Sequence, residues 1–105
     1  IPTFVALNPA AVVYCWRTAC PPCETVAGDF EVLLEEDAIP SEVGLAAVYG
    51  PECPVILADD YSVSVAPTTL FCVDGRVDSR IIGAKTPETF HSEIQTVLDR
   101  SALRP

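Results

Sequence analysis

The feature that most limits how this chain can fold is a change in apolar spacing close to residue 20. The run from Ala11 to Trp16 is uninterrupted and rich in β-branched and aromatic side chains, which is typical of a strand buried on both faces. Beyond Pro21 the apolar residues recur at helical spacing and acidic residues occupy the other side, so we predict an amphipathic helix that ends near Asp37. The apolar side of this helix comprises Val26, Phe30, Leu33 and Leu34.

The next segments continue the alternation of strands and helices. A second buried strand is predicted from Val43 to Tyr49, and a short helix from Pro54 to Asp60. The β-rich runs Thr68–Val73 and Arg76–Ile82 flank an Asp-Gly pair, which is the strongest short signal for a hairpin. We therefore expect these last two strands to be antiparallel.

A closing helix completes the predicted fold. Thr86 and Pro87 suit its N-cap and its first turn. The elements form a βαβ unit followed by a ββα unit, which predicts an α/β fold with a central mixed sheet of four or five strands flanked by helices. With 105 residues and no repeat or linker, we expect one domain, residues 1–105. The apolar side of the closing helix comprises Phe90, Ile94, Val97 and Leu98.

Composition narrows the classes of partner. The formal net charge of -9 should repel nucleic acid and anionic lipid, and no apolar run approaches the roughly 20 residues that span a membrane. Acid excess with a single lysine, Lys85, is expected of a protein from a high-salt cytoplasm and equally of an ordinary acidic soluble domain. Five cysteines are an odd number, so at least one thiol is unpaired within the chain, which favours a reducing, cytoplasmic compartment. The alternative is an extracytoplasmic protein that has lost a signal or an anchor.

Two of the cysteines, Cys20 and Cys23, lie where the buried strand gives way to the helix. At the N-cap, Cys20 would face unpaired backbone N–H groups and the positive end of the helix dipole, both of which stabilise a thiolate. Cys23, one turn further, would attack a mixed disulfide on Cys20 from a fixed distance. This pattern favours a redox pair in which Cys20 is the nucleophile and Cys23 resolves the intermediate.

A static disulfide and half of a zinc site are the alternatives for this pair. Structural zinc needs four ligands, whereas the other cysteines are isolated and His91 is the only histidine, so we expect no metal. Cys15 and Cys72 lie in strands that should be neighbours, which leaves open a cross-strand disulfide or two small buried thiols. Cys53 follows a loop and is a candidate for regulatory oxidation or dimerisation.

Four motifs in register extend these observations: WRTACPPC at 16–23, VAPTT at 65–69, DGRV at 74–77 and GA at 83–84. From about residue 11 onward the chain resembles the thioredoxin family. The resemblance implies the thioredoxin fold and reduction of disulfides in client proteins, with a thioredoxin-reductase-type electron donor. It implies no bound cofactor, and we expect a monomer.

The resemblance also implies a substrate groove around the two cysteines. Pro67 would be a cis-proline facing the pair, and the backbone of Ala66 would bind an extended stretch of the client. Gly83 would border the groove, Trp16 would lie under the active site, and Pro21 and Pro22 would lie between the cysteines.

Departures from the family pattern qualify the expected chemistry. Tyr14 occupies the position of the aspartate that moves the proton of the second cysteine, and Ala19 replaces an aromatic contact residue. Glu24 replaces a basic residue, and its carboxylate disfavours a thiolate nearby. We expect a reducing centre, with a midpoint nearer about -270 mV than about -120 mV. The N-terminal strand and helix of a full thioredoxin are expected to be largely absent, with the first seven residues as a remnant.

Two other functions share these motifs. Prolines between the cysteines, with the PTT and DGR motifs, also resemble membrane-anchored thioredoxin-like proteins of cytochrome maturation whose anchor is lost. A thioredoxin-fold adaptor that binds partners without turnover is the alternative of another class.

Overall fold

A central four-stranded sheet organises the computed structural model, which describes residues 1–102. The strand order is β2-β1-β3-β4, with β1 parallel to β2 and antiparallel to β3, and with β3 antiparallel to β4. The strands are β1 (Ala10–Trp16), β2 (Gly44–Tyr49), β3 (Thr68–Val73) and β4 (Arg76–Ile82). The helices are α1 (Pro2–Leu7), α2 (Pro21–Glu35), α3 (Pro54–Tyr61) and α4 (Pro87–Arg100), with a 3-10 turn at Gly50–Glu52 before α3.

This architecture confirms the predicted βαβ and ββα units and the mixed sheet flanked by helices. The hairpin strands begin and end where the sequence predicted, and Thr86 caps α4 by accepting a hydrogen bond from the Thr89 N–H at 3.3 Å. The prediction for β2 was wrong in one respect, because its residues are only half-buried or exposed. It lies at the edge of the sheet, where only one neighbouring strand covers it. Leu34, predicted on the apolar side of α2, is 54% exposed because it faces away from the sheet.

The core lies on both faces of β1. The side chains of Val12 and Tyr14 pack on one face against α2 and α4, whereas Val13 and Cys15 pack on the other face with Leu57 of α3. Alternation along a strand sends successive side chains to opposite faces, so a strand covered on both sides must be apolar throughout. This explains the uninterrupted apolar run in the sequence. Packing on both faces also fixes the C-terminal end of β1, and from that end the chain continues towards α2.

The first seven residues form α1, which packs on the β1–β2 side of the sheet. A Cβ atom at Gly44 would come within 2.6 Å of the Asn8 side chain and 2.9 Å of the Phe4 ring. Glycine at the start of β2 therefore allows α1 to approach the sheet closely. No helix in the described part of the chain, residues 1–102, has both the length and the apolar character needed to cross a membrane.

Candidate active site

The junction between β1 and α2 places Cys20 at the N-cap of the helix. Cys20 has non-helical backbone angles, with φ at -133° and ψ at 88°, and its Sγ accepts a hydrogen bond from the Cys23 N–H at 3.2 Å. Pro21 and Pro22 take the first two helical positions, where the missing N–H group costs no hydrogen bond. The sulfur of Cys20 thus lies where the backbone N–H groups and the helix dipole favour negative charge.

Cys20 and Cys23 are joined in a disulfide, with their Cα atoms 5.2 Å apart. The two residues differ in exposure, since Cys20 is 8% exposed and Cys23 only 2% exposed. Pro21 and Pro22 between them are exposed. An approaching reactant therefore meets Cys20 first, and Cys23 lies behind it at the edge of the core.

The loop before β3 contains Ala66 and Pro67, two of the residues predicted for the substrate groove. The peptide bond between Ala66 and Pro67 is cis, as the resemblance implied. Gly83 donates its N–H to the Pro67 carbonyl at 2.9 Å, with φ at +88°, a conformation that glycine adopts easily. The Thr68 hydroxyl donates to the Val65 carbonyl at 2.8 Å. The first bond joins the loop to the residue after β4, and the second ties the loop to the start of β3.

A cavity of about 500 Å³ lies between the end of β1, the start of α3 and this loop. Its lining includes Trp16 and Ala66, two of the residues predicted for the groove, whereas Pro21, Pro22, Pro67 and Gly83 are not part of that lining. The structure adds contributors that the sequence analysis did not identify. Arg17 and Val65 lie within the quoted motifs but were not predicted to line the groove, whereas others lie outside every motif; these others include Gly50, Pro51, Pro54 and Ser64.

Trp16 is half-buried and packs against Tyr49 of the neighbouring strand, with the ring centroids 4.8 Å apart. The two residues are register partners at the ends of β1 and β2. Such aromatic pairs add about 0.5 to 1.5 kcal/mol beyond their burial, so this contact stabilises the wall of the cavity. The pairing was not predicted, because the sequence alone does not show which residues of parallel strands lie side by side.

Tyr14 lies beneath the second cysteine. Its hydroxyl donates a hydrogen bond to the Cys23 carbonyl oxygen, and burial raises its pKa above the ordinary tyrosine value. Its ring packs against Phe30 in the core. At neutral pH, Tyr14 is therefore a neutral donor whose proton is already committed, and it cannot accept a proton from Cys23.

A second cleft, of about 490 Å³, opens on this side of the site between α2 and β2. Tyr14, Cys23, Glu24 and Ala47 contribute to its lining. The side chains at Glu24 and Ala47 are exposed, whereas Cys23 forms part of the buried wall. The cleft thus has the enclosed second cysteine in its wall and the exposed Glu24 side chain beside it.

The other three cysteines are unpaired. Cys15 and Cys72 are each 1% exposed, and the cross-strand disulfide that the sequence left open does not form. Burial raises the pKa of each of these two thiols to about 11. Cys53 is half-buried next to the same core. Residues 1–102 contain no group of three or more His, Cys, Asp or Glu side chains able to hold a metal ion.

Several solved structures with the same architecture are thioredoxins. A mutant thioredoxin from Halobacterium salinarum superposes with a TM-score of 0.77 at 20% identity, covering 91% of this chain and 80% of that one. A thioredoxin from Malassezia sympodialis gives 0.76 at 24% identity, covering 90% and 80%. The oxidized mitochondrial thioredoxin of Saccharomyces cerevisiae gives 0.74 at 23% identity, covering 90% and 85%.

At these identities the similar structures establish the fold. A search of curated proteins found no match. The family model described as thioredoxin matches residues 3–96, which contain both cysteines of the pair, the cis-proline loop and most of α4. The chain therefore belongs to the thioredoxin family.

Proposed function

We propose that this protein reduces disulfides of client proteins by thiol–disulfide exchange through Cys20 and Cys23. The observation that carries the proposal is the disulfide at the N-terminus of α2, with the Cys20 sulfur at the N-cap. Membership of the family supports the same class of chemistry. The reaction needs no bound cofactor, because the two thiols themselves hold the two electrons.

The exchange proceeds in two steps. In the first step the Cys20 thiolate attacks one sulfur of the client disulfide, a mixed disulfide forms, and the other client sulfur leaves as a thiolate. In the second step the Cys23 thiolate attacks the Cys20 sulfur, the mixed disulfide breaks, and the second client sulfur leaves. The client has gained two electrons, and Cys20 and Cys23 end in the disulfide. A reductase-type dithiol or flavin donor then returns two electrons.

Three features favour Cys20 as the nucleophile. It is the more exposed of the two residues, its sulfur accepts a backbone hydrogen bond, and it lies at the positive end of the helix dipole. Cys23 is almost fully enclosed and meets only a sulfur already attached to Cys20. Their fixed spacing makes the second step effectively unimolecular.

The client chain would bind over a groove wider than the cavity itself, since of the groove residues only Trp16 and Ala66 line that cavity. The backbone of Ala66 pairs with the client, while Trp16, Pro67 and Gly83 shape the groove. Pro21 and Pro22 form the exposed surface between the sulfurs. Since each of these contacts uses the client main chain or apolar groups, a range of client sequences can bind, and a monomer suffices. Three unpaired thiols are compatible with a reducing, cytoplasmic compartment.

Reduction of insulin by dithiothreitol tests the proposal. Catalytic amounts of the protein should accelerate precipitation of the insulin B chain at least about tenfold over dithiothreitol alone. A variant with Cys20→Ser and Cys23→Ser should show no acceleration. Equal rates with and without the wild-type protein, with both site thiols verified as reduced, would instead support a binding adaptor.

The direction of electron flow has its own test. Equilibration of the pair against glutathione buffers, followed by alkylation and mass spectrometry, gives the midpoint potential. We expect a value near about -270 mV, and a value above about -180 mV would contradict a reductase.

A further inference from the structure

The enclosed second cysteine poses a problem of proton transfer. Cys23 must become a thiolate before it attacks the mixed disulfide, yet it is 2% exposed and an ordinary thiol is mostly protonated at neutral pH. Some group has to take its proton. Tyr14, which lies beneath it in the core, keeps its proton and donates a hydrogen bond to the Cys23 carbonyl oxygen, so it is unsuited to the task.

The residues that line the cleft between α2 and β2 include another group that can accept the Cys23 proton. The titratable or charged side chains among the residues that line it are Tyr14, Arg17, Cys23 and Glu24. β2 contributes only Ala47, which cannot accept a proton. Arg17 is always protonated, so Glu24 is the only base among them. Within residues 1–102 no hydrogen bond or ion pair engages the Glu24 carboxylate, which leaves it available to solvent in the cleft.

We propose that the Glu24 carboxylate accepts, through water in this cleft, the proton that the Cys23 thiol loses in the second step. The proposal rests on the proposed function and adds a residue with a defined role to it. Cys23 S–H gives its proton to Glu24 as its sulfur attacks the Cys20 sulfur. The Cys20–Cys23 bond forms, the bond between Cys20 and the client sulfur breaks, and the client sulfur leaves with the electron pair. Glu24 then returns the proton to solvent or to the departing client thiolate.

The same carboxylate should have the opposite influence on the first step. A negative charge one turn from Cys20 disfavours its thiolate, so removing that charge should assist the first attack. The two possible roles of Glu24, as a proton acceptor and as a nearby negative charge, therefore lead to different predictions. Glu24→Gln removes both, but only loss of the acceptor slows the second step.

An aromatic disulfide, dithiobis(nitrobenzoate), separates the two steps in one experiment. The reduced protein releases one coloured thiolate when Cys20 attacks and a second when Cys23 resolves the intermediate. This leaving group needs no proton, so the second phase reports the loss of the Cys23 proton. A Cys53→Ser background removes the half-buried thiol that would also react. Glu24→Asp and Glu31→Gln serve as the conservative and the matched control, because Glu31 is an exposed acid of α2 outside the cleft.

Glu24→Gln should leave the first phase unchanged or up to about threefold faster and slow the second phase about tenfold near pH 7. The difference should disappear towards about pH 9.5, where the thiol ionises without help. Glu24→Asp should restore most of the rate, and Glu31→Gln should change neither phase. A second phase that is unchanged or faster in Glu24→Gln, or equally slow in Glu31→Gln, would overturn the proposal. Absence of the first phase in the wild-type protein would overturn the proposed function itself.

Discussion

Four of the five cysteines of this chain occupy two contrasting regions, the N-terminus of α2 and the interior of the sheet. Cys20 is 8% exposed and its sulfur accepts a backbone N–H, whereas Cys15 and Cys72 are 1% exposed and packed among aliphatic side chains. Burial raises the pKa of each of the two sheet thiols to about 11. The same side chain is thus placed where a thiolate is stabilised in one region and where it is suppressed in the other.

Distance along the chain does not explain this contrast. Cys15 and Cys20 are five residues apart, but Cys15 belongs to a strand covered on both faces and Cys20 to the first turn of a helix. The decisive change is the end of β1 at Trp16, after which the chain leaves the sheet. Reactivity in this protein is therefore set by secondary structure, and the predictions below test that statement.

The largest expected effect is the trapping of a reaction intermediate. Replacing Cys23 by serine leaves Cys20 able to attack but removes the second step, so most molecules should accumulate a mixed disulfide with a client peptide. Cys72→Ala, the matched change in the sheet, should accumulate almost none. Intact-protein mass spectrometry measures the added mass. Equal trapping in the two variants would show that the two regions do not differ in function.

The next effect is a difference in alkylation rate. A thiol with a pKa of about 11 is only about 0.1% thiolate at pH 8, so Cys15 and Cys72 should react with iodoacetamide at least about 100-fold more slowly than Cys20 in the reduced protein. Peptide mapping at several times gives each rate. Denaturant should remove the difference. A native rate for Cys15 within tenfold of the Cys20 rate would contradict the proposed effect of burial.

Much of this contrast could be predicted from the sequence. The apolar run before Trp16 predicted the buried strand, and Pro21 and Pro22 indicated where the helix begins, so the N-cap position of Cys20 followed from local pattern. The hairpin from Thr68 to Ile82 was predicted because its turn residues are local as well. Sequence patterns were sufficient for these elements because the residues that determine each one lie within a few positions of one another.

Contacts between distant segments were not predictable in this way. The half-buried state of β2 depends on its place at the edge of the sheet, which no residue within it reveals. The hydrogen bond of Tyr14 to the Cys23 carbonyl oxygen and the cleft shared by Glu24 and Ala47 depend on how α2 crosses the sheet. The sequence showed only that the usual aspartate was missing, and the fold was needed to indicate another proton acceptor.

A smaller expected effect of the same contrast is that the free energy of unfolding falls at alkaline pH. For Cys15 and Cys72 the folded pKa of about 11 lies above the ordinary thiol value, so between about pH 9 and pH 11 the unfolded state binds fewer protons and stability falls as pH rises. We expect a loss of about 1 to 2 kcal/mol per thiol across this window. Urea titrations give the free energy of unfolding at each pH.

The control for this pH dependence is the double variant Cys15→Ala, Cys72→Ala. It should be less stable at neutral pH because of the cavities, but its stability should fall less between about pH 9 and pH 11. Tyr14 and Tyr61, whose pKa values burial also raises, contribute a loss of the same sign in both proteins. Parallel pH curves for the variant and the wild type would contradict the proposed effect of the sheet thiols.

The smallest effect concerns Cys53, which lies between the two regions in exposure. It is half-buried and occupies the N-cap of α3 without a side-chain capping bond. Serine is a preferred N-cap residue, so in Cys53→Ser a new capping bond should offset the lost burial and keep stability within about 0.5 kcal/mol. The identical change at Cys72 introduces a hydroxyl into an apolar interior and should cost about 1 to 3 kcal/mol. Urea denaturation gives the free energy of unfolding of both serine variants. Equal losses at Cys53 and Cys72 would mean that position in the fold does not determine how much a cysteine contributes to stability.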